Sequence, residues 1–330
     1  MRRRRRDRGP RPHRGACRLP QRADERDRPH DDGPLVNPAE HFAAPPEWQW
    51  WILAYFFFGG LSGGSYAIGT LLRLAGDPRD RRASQIAYIA SFIALIPCPI
   101  FLTLDLGQPT LFYHMLVDTS GGGLVFKPWS PMSLGSWALL AFGLFSFVSF
   151  LGALAETGRI RGASSLASAI RGLPATIWGV IGTALGLFIC GYTGVVLAVS
   201  NQAVWSDAGW VLGGLFLASA LSGSAALLLF LARSRRDVDL DTAYRLERAD
   251  RYFVVLEAVL IVLFLVAVAV AGSLTKVLGI WVLLWIVVLA GIVVPFLASR
   301  VRGWPPVAAP LLALLGVLAL RALVIFSAQT

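Results

Sequence analysis

Residues 55–69 read YFFFGGLSGGSYAIG, which places five glycines and two serines inside an uninterrupted apolar run. In a soluble helix each glycine costs roughly 1 kcal/mol relative to alanine. In lipid, by contrast, small residues let helix backbones approach closely and so promote helix association. Gly59 and Gly63 form one GxxxG pair, and Gly60 and Gly64 form a second. This small-residue face has two interpretations: tight packing against neighbouring helices, or a shallow surface for a flat ligand.

The composition of the whole chain also indicates a lipid environment. Hydrophobic residues make up 55% of the sequence and charged residues only 15%, well below the roughly 25% charged residues of an ordinary soluble domain. A membrane-spanning helix needs about 20 consecutive apolar residues. The sequence therefore predicts an all-α integral membrane protein with eight transmembrane helices. The predicted spans are Trp51–Leu72, Ile86–Leu106, Leu134–Ala155, Ile177–Val199, Val211–Ala232, Tyr252–Val270, Val277–Phe296 and Val307–Ser327.

Residues 1–34 form a segment of a different kind. They hold 12 of the 30 basic residues, all arginine, together with 6 acidic residues and few apolar ones. Such a segment cannot bury enough apolar surface to fold, so it is predicted to be disordered. No short apolar stretch follows the arginines before Trp48, which argues against a signal peptide. A nucleic-acid partner is not expected either, because the arginine run has no supporting context.

The charges of the loops predict an orientation. The loops after helices 1, 3, 5 and 7 are rich in arginine, whereas the loops after the even-numbered helices contain only Lys127 and Lys276. Because basic residues in short loops stay in the cytoplasm, we expect a multi-pass protein of the cytoplasmic membrane with both termini outside. The tail conflicts with this orientation. Either its length and flexibility let it cross, or the start codon is placed too far upstream and the protein begins near Val36; the second interpretation is favoured.

The residues that bind redox cofactors are absent from the predicted helices. All four histidines lie outside them, and a membrane haem needs axial histidines within its bundle. The three cysteines are scattered, with no CxxC or CxxCH spacing, so no iron–sulfur cluster or c-type haem is expected. The sequence thus predicts no haem and no iron–sulfur cluster in this chain.

Three ionisable residues lie within the predicted helices: Asp105, Glu257 and Arg321. Charged groups at membrane depth are costly and are candidates for function. From the helical rise, Glu257 is expected roughly 8 Å from the inner side, with Arg321 in the outer third and Asp105 at the outer rim. The alternative for each is a packing ion pair or a side chain that reaches the membrane surface. Pro97 and Pro99 are expected to kink the helix that ends at Asp105.

Five stretches in a fixed order resemble the polysulfide reductase membrane-subunit family (NrfD/PsrC-like). They are YFFFGGLSGGSY, LDLGQPTLFYHML, SPMSLGSWALLAFG, GYTGVVLAVSNQAVW and GVLALRALVIFSAQ. The resemblance covers nearly all of Trp48–Gln329. It implies a membrane domain over residues 35–330, with one four-helix bundle at about 48–200 and a second at about 210–328. It also implies a quinone or menaquinone bound as substrate, a four-cluster ferredoxin-like iron–sulfur partner and a catalytic partner protein, commonly of the molybdopterin type.

The resemblance and the residues together predict a quinone-binding site at the outer end of the first bundle. Its residues are Gln49, Tyr55, Asp105 and Tyr192. Tyr192 is expected roughly 10 Å from the outer end of helix 4, where it donates a hydrogen bond to a quinone oxygen while Asp105 exchanges the proton. Its hydroxyl has a second interpretation, in which it only satisfies a neighbouring carbonyl. Some family members have a histidine where this chain has Gln49, which can hydrogen-bond but cannot shuttle a proton, so its role is open.

Two further sites are predicted. Phe126, Lys127 and Trp129 lie in the loop Gly121–Ser133, which is expected either to dock the iron–sulfur partner or to be a plain reverse turn. Glu257 and Arg321 are expected either to form a proton path from the cytoplasm or to be structural.

The predicted function is that of a membrane anchor subunit that exchanges electrons between the quinone pool and the iron–sulfur partner, without a catalytic centre of its own. One alternative is a proton-coupled secondary transporter, and another is a purely structural anchor whose quinone site has decayed. Helix 6 has no clear counterpart of Pro97 and Pro99. This asymmetry counts against a transporter, in which broken helices occupy matched positions of both halves.

Overall fold

The structure of the chain is a computed structural model. It describes residues 46–118, 123–158, 173–234, 238–298, 305 and 307–329. The predictions for residues 1–34 and for the position of the start lie outside the described residues. So do several loop arginines that carry the orientation argument.

The described residues form ten helices and one short strand pair. The helices are α1 Trp50–Ala75, α2 Arg81–Leu95, α3 Pro97–Asp105, α4 Pro131–Glu156, α5 Leu173–Val199, α6 Gly209–Arg233, α7 Leu240–Val270, α8 Leu274–Leu278, α9 Val282–Ala298 and α10 Ala308–Ser327. Strands β1 (Val117–Asp118) and β2 (Gly123–Leu124) pair antiparallel. Two 3-10 segments, Pro78–Asp80 and Pro109–Met115, precede α2 and β1.

The prediction of an all-α integral membrane protein is confirmed. In the described ranges, seven helical segments are long and apolar enough to cross a membrane; α2 and α3 count together with the turn before them as Pro78–Asp105. Val282–Leu297 in α9 is apolar but shorter, and it lies where the seventh of the eight predicted spans was expected. It is short because the chain turns at 279–281, which separates α8 from α9.

The second membrane segment is interrupted at the prolines for which a kink is predicted. α2 ends at Leu95 and α3 begins at Pro97, with Ile96 between them in helical conformation. A proline has no backbone N–H to continue the helical hydrogen bonds. The interruption therefore follows from Pro97 and Pro99, and the kink itself stays a prediction.

α1 lies at the centre of the fold, where it contacts α2, α3, α5 and α6. Its two glycine pairs face different helices. A Cβ atom at Gly63 would overlap the Gly186 carbonyl of α5, and one at Gly64 would overlap Ser224 of α6 and lie 2.8 Å from the Ala220 oxygen. These close approaches support the packing interpretation, because helices occupy the face that a flat ligand would need.

The second half of the chain is arranged around α6 and α10. α6 packs against α7 and α10, and α9 packs chiefly against α10. α6 also contacts α1 and α5, so it joins the helices that precede it to those that follow.

The loop arginines that the structure describes lie at one end of the molecule, opposite Asp105. Glu156, at the end of α4, binds Arg73 at 2.5 Å and also contacts Arg81. Arg245 of α7 pairs with Asp77 in the turn after α1. This hydrogen bond lowers the pKa of Asp77. The pair is therefore present at neutral pH and is lost only as the pH falls through that lowered value.

The prediction for the start of the sixth span is wrong: α7 begins at Leu240 rather than at Tyr252. The reason lies in the partners of its first turns. Asp80, which is 1% exposed, accepts hydrogen bonds from the Thr242 hydroxyl at 2.6 Å and from Arg245 at 2.8 Å. Polar residues continue the helix because they bind the loop between α1 and α2, a contact that apolar periodicity cannot reveal.

Candidate functional site

A cavity of about 250 Å³ opens between α1, α3, α4 and α5 at the end of the molecule opposite the arginines. We call it the α1–α5 cavity. Tyr55, Asp105 and Tyr192, three of the four residues predicted for the quinone site, line it. Its remaining wall is largely apolar and consists of Trp48, Ile52, Phe56, Leu102, Leu106, Met115, Met132, Gly135, Ser136 and Val196.

Asp105 is the last residue of α3, and it is half-buried at the mouth of the α1–α5 cavity. The chain then turns away at Gly107, whose φ of +68° lies in the left-handed region that glycine adopts without strain. A carboxylate at a helix C-terminus gains nothing from the helix dipole. Among the described residues no hydrogen bond or ion pair holds this carboxylate, so it is free to bind a ligand.

Tyr192 of α5 is fixed by two contacts. Its hydroxyl donates a hydrogen bond to the Pro131 carbonyl, and its ring stacks on Phe188 with centroids 5.5 Å apart. Gly135 makes room for this ring, because a Cβ atom there would lie 2.5 Å from the Tyr192 Cζ atom. Since the hydroxyl proton is already used, the oxygen is placed to accept a hydrogen bond from a ligand rather than to donate one.

Gln49 does not join the other three predicted residues. It is exposed and lies outside the cavity lining, where its neighbour Trp48 is found instead. Trp48 stacks on the buried Trp205 with centroids 5.2 Å apart, and Trp205 donates to the Val324 carbonyl at 2.7 Å. Because α1 begins at Trp50, helical spacing does not fix the direction of either side chain. The sequence carried no signal that would have selected Trp48.

The loop before α4 lies beside the mouth of the α1–α5 cavity. Phe126, Lys127 and Trp129 are all exposed, and Trp129 is 79% exposed. Trp137 of α4 anchors this loop, since its indole N–H donates to the Val125 carbonyl at 2.7 Å and its ring meets Phe126 edge-on. Further exposed apolar side chains surround the loop: Leu111, Phe112, Tyr113, Leu124 and Met132.

Arg321 of α10 is buried between α1 and α6. Its guanidinium donates to the Phe56 carbonyl at 2.6 Å and to the Phe216 carbonyl at 3.2 Å, and it lies 5.0 Å from the centre of the Phe216 ring. Gly60 permits this approach, because a Cβ atom there would lie 2.6 Å from a guanidinium nitrogen. In the described parts of the chain no carboxylate pairs with Arg321 within 4.0 Å.

Glu257 is buried on the face of α7 that meets α6. Its carboxyl group lies near the hydroxyls of Ser222 and Ser219, and the Ser219 hydroxyl makes no hydrogen bond among the described residues. Both serines lie near the middle of α6. The predicted depth of Glu257 in the membrane, roughly 8 Å from the inner side, stays a prediction.

Sequence reasoning missed Asp250, which lies two helical turns before Glu257 on the same buried face of α7. It is 7% exposed, and its Oδ1 atom has no hydrogen-bond partner among the described residues. The predicted span began after Asp250, so this residue was treated as part of a loop. Buried residues recur along α7 at helical spacing, and extending this period before Tyr252 would have predicted that Asp250 is buried. These residues are Leu246, Asp250, Val254, Glu257 and Ile261.

Comparison with known proteins identifies the family. The family model described as polysulphide reductase, NrfD, matches residues 40–330. The chain belongs to the NrfD polysulphide reductase family. The resemblance seen in the sequence is therefore confirmed, and membership is consistent with a membrane-anchoring role in an oxidoreductase.

A curated relative of this NrfD-family chain is a selenate reductase subunit from Mesobacillus selenatarsenatis. The two are 34% identical over 70 residues, which is 21% of this chain and 16% of that protein. The match spans less than a fifth of the relative's length, so the substrate and assembly of the whole complex are matters for proposal.

The α1–α5 cavity of this NrfD-family chain combines one acidic side chain with hydroxyl and aromatic groups. In the parts of the chain that the structure describes, no three side chains from histidine, cysteine, aspartate and glutamate converge as a metal site. The cavity instead offers one carboxylate without a partner among the described residues, at Asp105, the hydroxyls of Tyr55, Ser136 and Tyr192, and aromatic walls.

Proposed function

We propose that this chain is the quinone-reactive membrane anchor of a multisubunit oxidoreductase, in which it exchanges electrons between the quinone pool and an iron–sulfur subunit. The observation that carries the proposal is the α1–α5 cavity, where a partnerless carboxylate and an aromatic wall meet at one end of the molecule. The expected partners are a four-cluster ferredoxin-like subunit and a molybdopterin catalytic subunit. The name of the curated relative, a selenate reductase subunit, supports an oxidoreductase assembly.

The residues of the cavity fit a quinone ring. Ligand sites are mostly apolar, with a few placed polar groups, and here Tyr55, Phe56 and Trp48 supply the aromatic surface. A quinol, when bound, supplies two electrons and two protons on oxidation. The Asp105 carboxylate is placed to take up a proton, and the Tyr192 oxygen is placed to accept a hydrogen bond that orients the ring.

The exposed loop beside the cavity is the proposed dock for the iron–sulfur subunit. Aromatic residues are enriched at the centres of protein interfaces. Phe126 and Trp129 are exposed, Lys127 lies between them, and Trp137 holds the loop in place. A partner bound here would lie beside the α1–α5 cavity, which shortens the path for electrons.

The proposed proton path runs through the second half of the chain. Asp250 and Glu257 point along one buried face of α7, and Arg321 bonds the carbonyl of Phe56, whose residue lines the α1–α5 cavity. This series of buried polar groups leads from the arginine-rich end towards the cavity. With the arginine-rich end in the cytoplasm of a cytoplasmic membrane and both termini outside, the path would supply protons from the inside.

The transporter alternative has less support. Transporters built from repeats have broken helices at corresponding positions of the two halves. Here one break lies at Ile96 in the second predicted span and the other at 279–281 in the seventh, and these positions do not correspond.

The test of the proposed function is Asp105→Asn in the assembled complex. This change keeps the shape of the side chain and removes its titratable proton. General acid–base groups contribute about 10²- to 10⁴-fold, so quinol-linked turnover should fall in that range while the complex still assembles. The matched control is Asp241→Asn. Asp241 is exposed in the first turn of α7, at the arginine-rich end and outside the cavity lining; this variant should keep turnover.

Two results would count against the proposal. Unchanged turnover in Asp105→Asn would remove Asp105 from the proton chemistry. A wild-type complex that binds no quinone would overturn the proposed function itself.

A further inference from the structure

Trp48 forms part of the wall of the α1–α5 cavity although it lies outside every helix. It comes two residues before α1, which begins at Trp50, and its backbone N–H donates to the Pro46 carbonyl at 2.8 Å. The helical backbone therefore does not fix the direction of the Trp48 side chain. Contacts with other parts of the chain must hold it against the cavity.

The first of these contacts is made by Trp205, in the turn between α5 and α6. Its side chain is completely buried, and its ring stacks on Trp48 with centroids 5.2 Å apart. Its indole N–H donates to the Val324 carbonyl of α10 at 2.7 Å. Trp205 thus ties the ring of Trp48 to α10, and Trp205 itself does not line the cavity.

The turn that carries Trp205 has an unusual backbone conformation at Val204. Its φ of +72° lies in the left-handed region, which a β-branched residue rarely adopts, and such a conformation persists only where the surrounding structure holds it. Here Asp207 accepts hydrogen bonds from the Val204 N–H at 3.1 Å and from the hydroxyl of Ser273, just before α8. The turn that directs Trp205 towards Trp48 is therefore fixed by a residue of the second half of the chain.

The second contact with Trp48 comes from Gln329, two residues after the end of α10. Its side-chain amide donates to the Trp48 carbonyl at 3.2 Å and to the Ile325 carbonyl in the last turns of α10 at 3.2 Å. Gln329 does not line the cavity either. The backbone and the ring of Trp48 are thus held separately, by Gln329 and by Trp205.

We propose that Trp205 and Gln329 are positioning residues for quinone binding, which hold Trp48 in place as an aromatic wall for the quinone ring. This inference rests on the proposed function. The apparent affinity for a ligand falls with the fraction of the protein that is in the binding-competent conformation. Residues outside the α1–α5 cavity therefore set part of its affinity, because they keep its wall in position.

The first test removes the amide donor of Gln329. Gln329→Met keeps the length of the side chain but cannot donate to the Trp48 carbonyl. The net contribution of one hydrogen bond corresponds to about two- to tenfold in an equilibrium constant, so the Kd of the quinone should rise by about that factor. The matched control is Gln108→Met, the same change at an exposed residue outside the cavity lining, which should keep the wild-type Kd.

The probes are menadione and duroquinone, a naphthoquinone and a benzoquinone that both lack an isoprenoid tail and so report on the ring site alone. Their Kd values are measured by isothermal titration calorimetry on the purified full-length complex. The variants are then compared with the probe that the wild-type complex binds more tightly.

Hydrogen–deuterium exchange reports on Trp48 directly. Exchange in peptides that contain Trp48 should rise in Gln329→Met and stay unchanged in Gln108→Met, and bound quinone should lower it in the wild-type complex. A purely structural role of Gln329 would loosen the end of α10 and lower the melting temperature. It would change neither the exchange at Trp48 nor the Kd.

Trp205→Leu is the second variant. It removes the stacked ring and should also raise the Kd, whereas Trp205→Phe keeps an aromatic ring and should recover most of the affinity. Gel filtration shows whether each variant assembles, and Gln329→Met decides the question if Trp205→Leu does not. In a Trp48→Ala background, neither Gln329→Met nor Trp205→Leu should raise the Kd further.

The possible results separate this inference from the proposed function. If the wild-type complex binds a quinone and its Kd is unchanged in Gln329→Met, the inference is wrong and the cavity assignment stands. An equal rise in Kd with and without the Trp48 ring also overturns it, because the substitution then does not act through Trp48. If the wild-type complex binds neither quinone, the proposed function fails, and this inference fails with it.

Discussion

A single methyl group at Gly135 should disturb the wall that Tyr192 forms in the α1–α5 cavity. In Gly135→Ala the new Cβ atom would lie 2.5 Å from Tyr192 Cζ and 2.6 Å from Cε1, and it would overlap the hydroxyl. The ring must therefore leave its place, and the α1–α5 cavity is space available to it. A displaced ring occupies volume that we assign to the ligand.

The magnitude follows from the contacts that change. In the ligand-free protein the ring loses its hydrogen bond to Pro131, about 0.5–1.5 kcal/mol, and alanine in a helix returns about 0.5–1 kcal/mol. The melting temperature should therefore change little. A bound quinone forces the ring back against the methyl group, and such overpacking costs about 1–3 kcal/mol. Since 1.4 kcal/mol is about tenfold, the Kd of the quinone should rise by roughly one order of magnitude.

The assay compares thermal unfolding and quinone Kd for Gly135→Ala with those of Gly143→Ala. The control adds the same methyl group to α4 at a position that does not line the α1–α5 cavity. A double-mutant cycle supplies the second control. Once Tyr192→Ala has removed the ring, adding Gly135→Ala should produce no further rise in Kd. An unchanged Kd in Gly135→Ala, or an equal effect with and without the Tyr192 ring, would refute this reasoning.

Three further outcomes are expected. Glu257→Gln should reduce the membrane potential generated by reconstituted vesicles more than it reduces electron transfer; equal loss of both, or of neither, would make Glu257 structural. Asp80→Asn should lower thermal stability by about 1.5–3 kcal/mol, because it weakens a partly buried charge-assisted pair with Arg245, whereas Asp241→Asn at an exposed position of α7 should not; equal melting temperatures would contradict this. Phe126→Ser should weaken binding of the iron–sulfur subunit by about 1 kcal/mol or more without changing quinone Kd. Undiminished binding would move the dock elsewhere.

The sequence predicted the architecture and most of the residues of the α1–α5 cavity because the bilayer limits which residues a membrane-spanning segment can contain. Apolar runs of membrane length located the spans, and the cost of a charge at depth singled out Asp105. Tyr55 and Tyr192 lie beside Asp105 in the structure because three helices begin or end at the same side of the membrane, which loop charge and helical rise already indicated.

What the sequence could not supply was the direction of side chains outside regular helices and the partners of polar helix turns. Gln49 and Trp48 precede α1, so the helical periodicity does not predict which of their side chains faces the cavity. The first turns of α7 are held by Asp80, which is far away in the chain. Without that contact, neither the start of α7 nor the burial of Asp250 could be predicted. The hydrogen bond of Tyr192 to Pro131 likewise depends on a tertiary contact that spacing does not encode.

The position of Arg321 has a consequence for how the protein is made. An isolated arginine costs about 2.5–3.5 kcal/mol at the centre of an inserting helix and less towards its end; Arg321 lies six residues before the end of α10. The carbonyls that receive its guanidinium belong to Phe56 and Phe216, on α1 and α6, which the ribosome completes before α10. When α10 leaves the translocon, its cost of insertion is offset only if those two earlier helices already lie side by side in the bilayer. Biogenesis of the C-terminal helix is thereby made conditional on the correct assembly of the helices made before it.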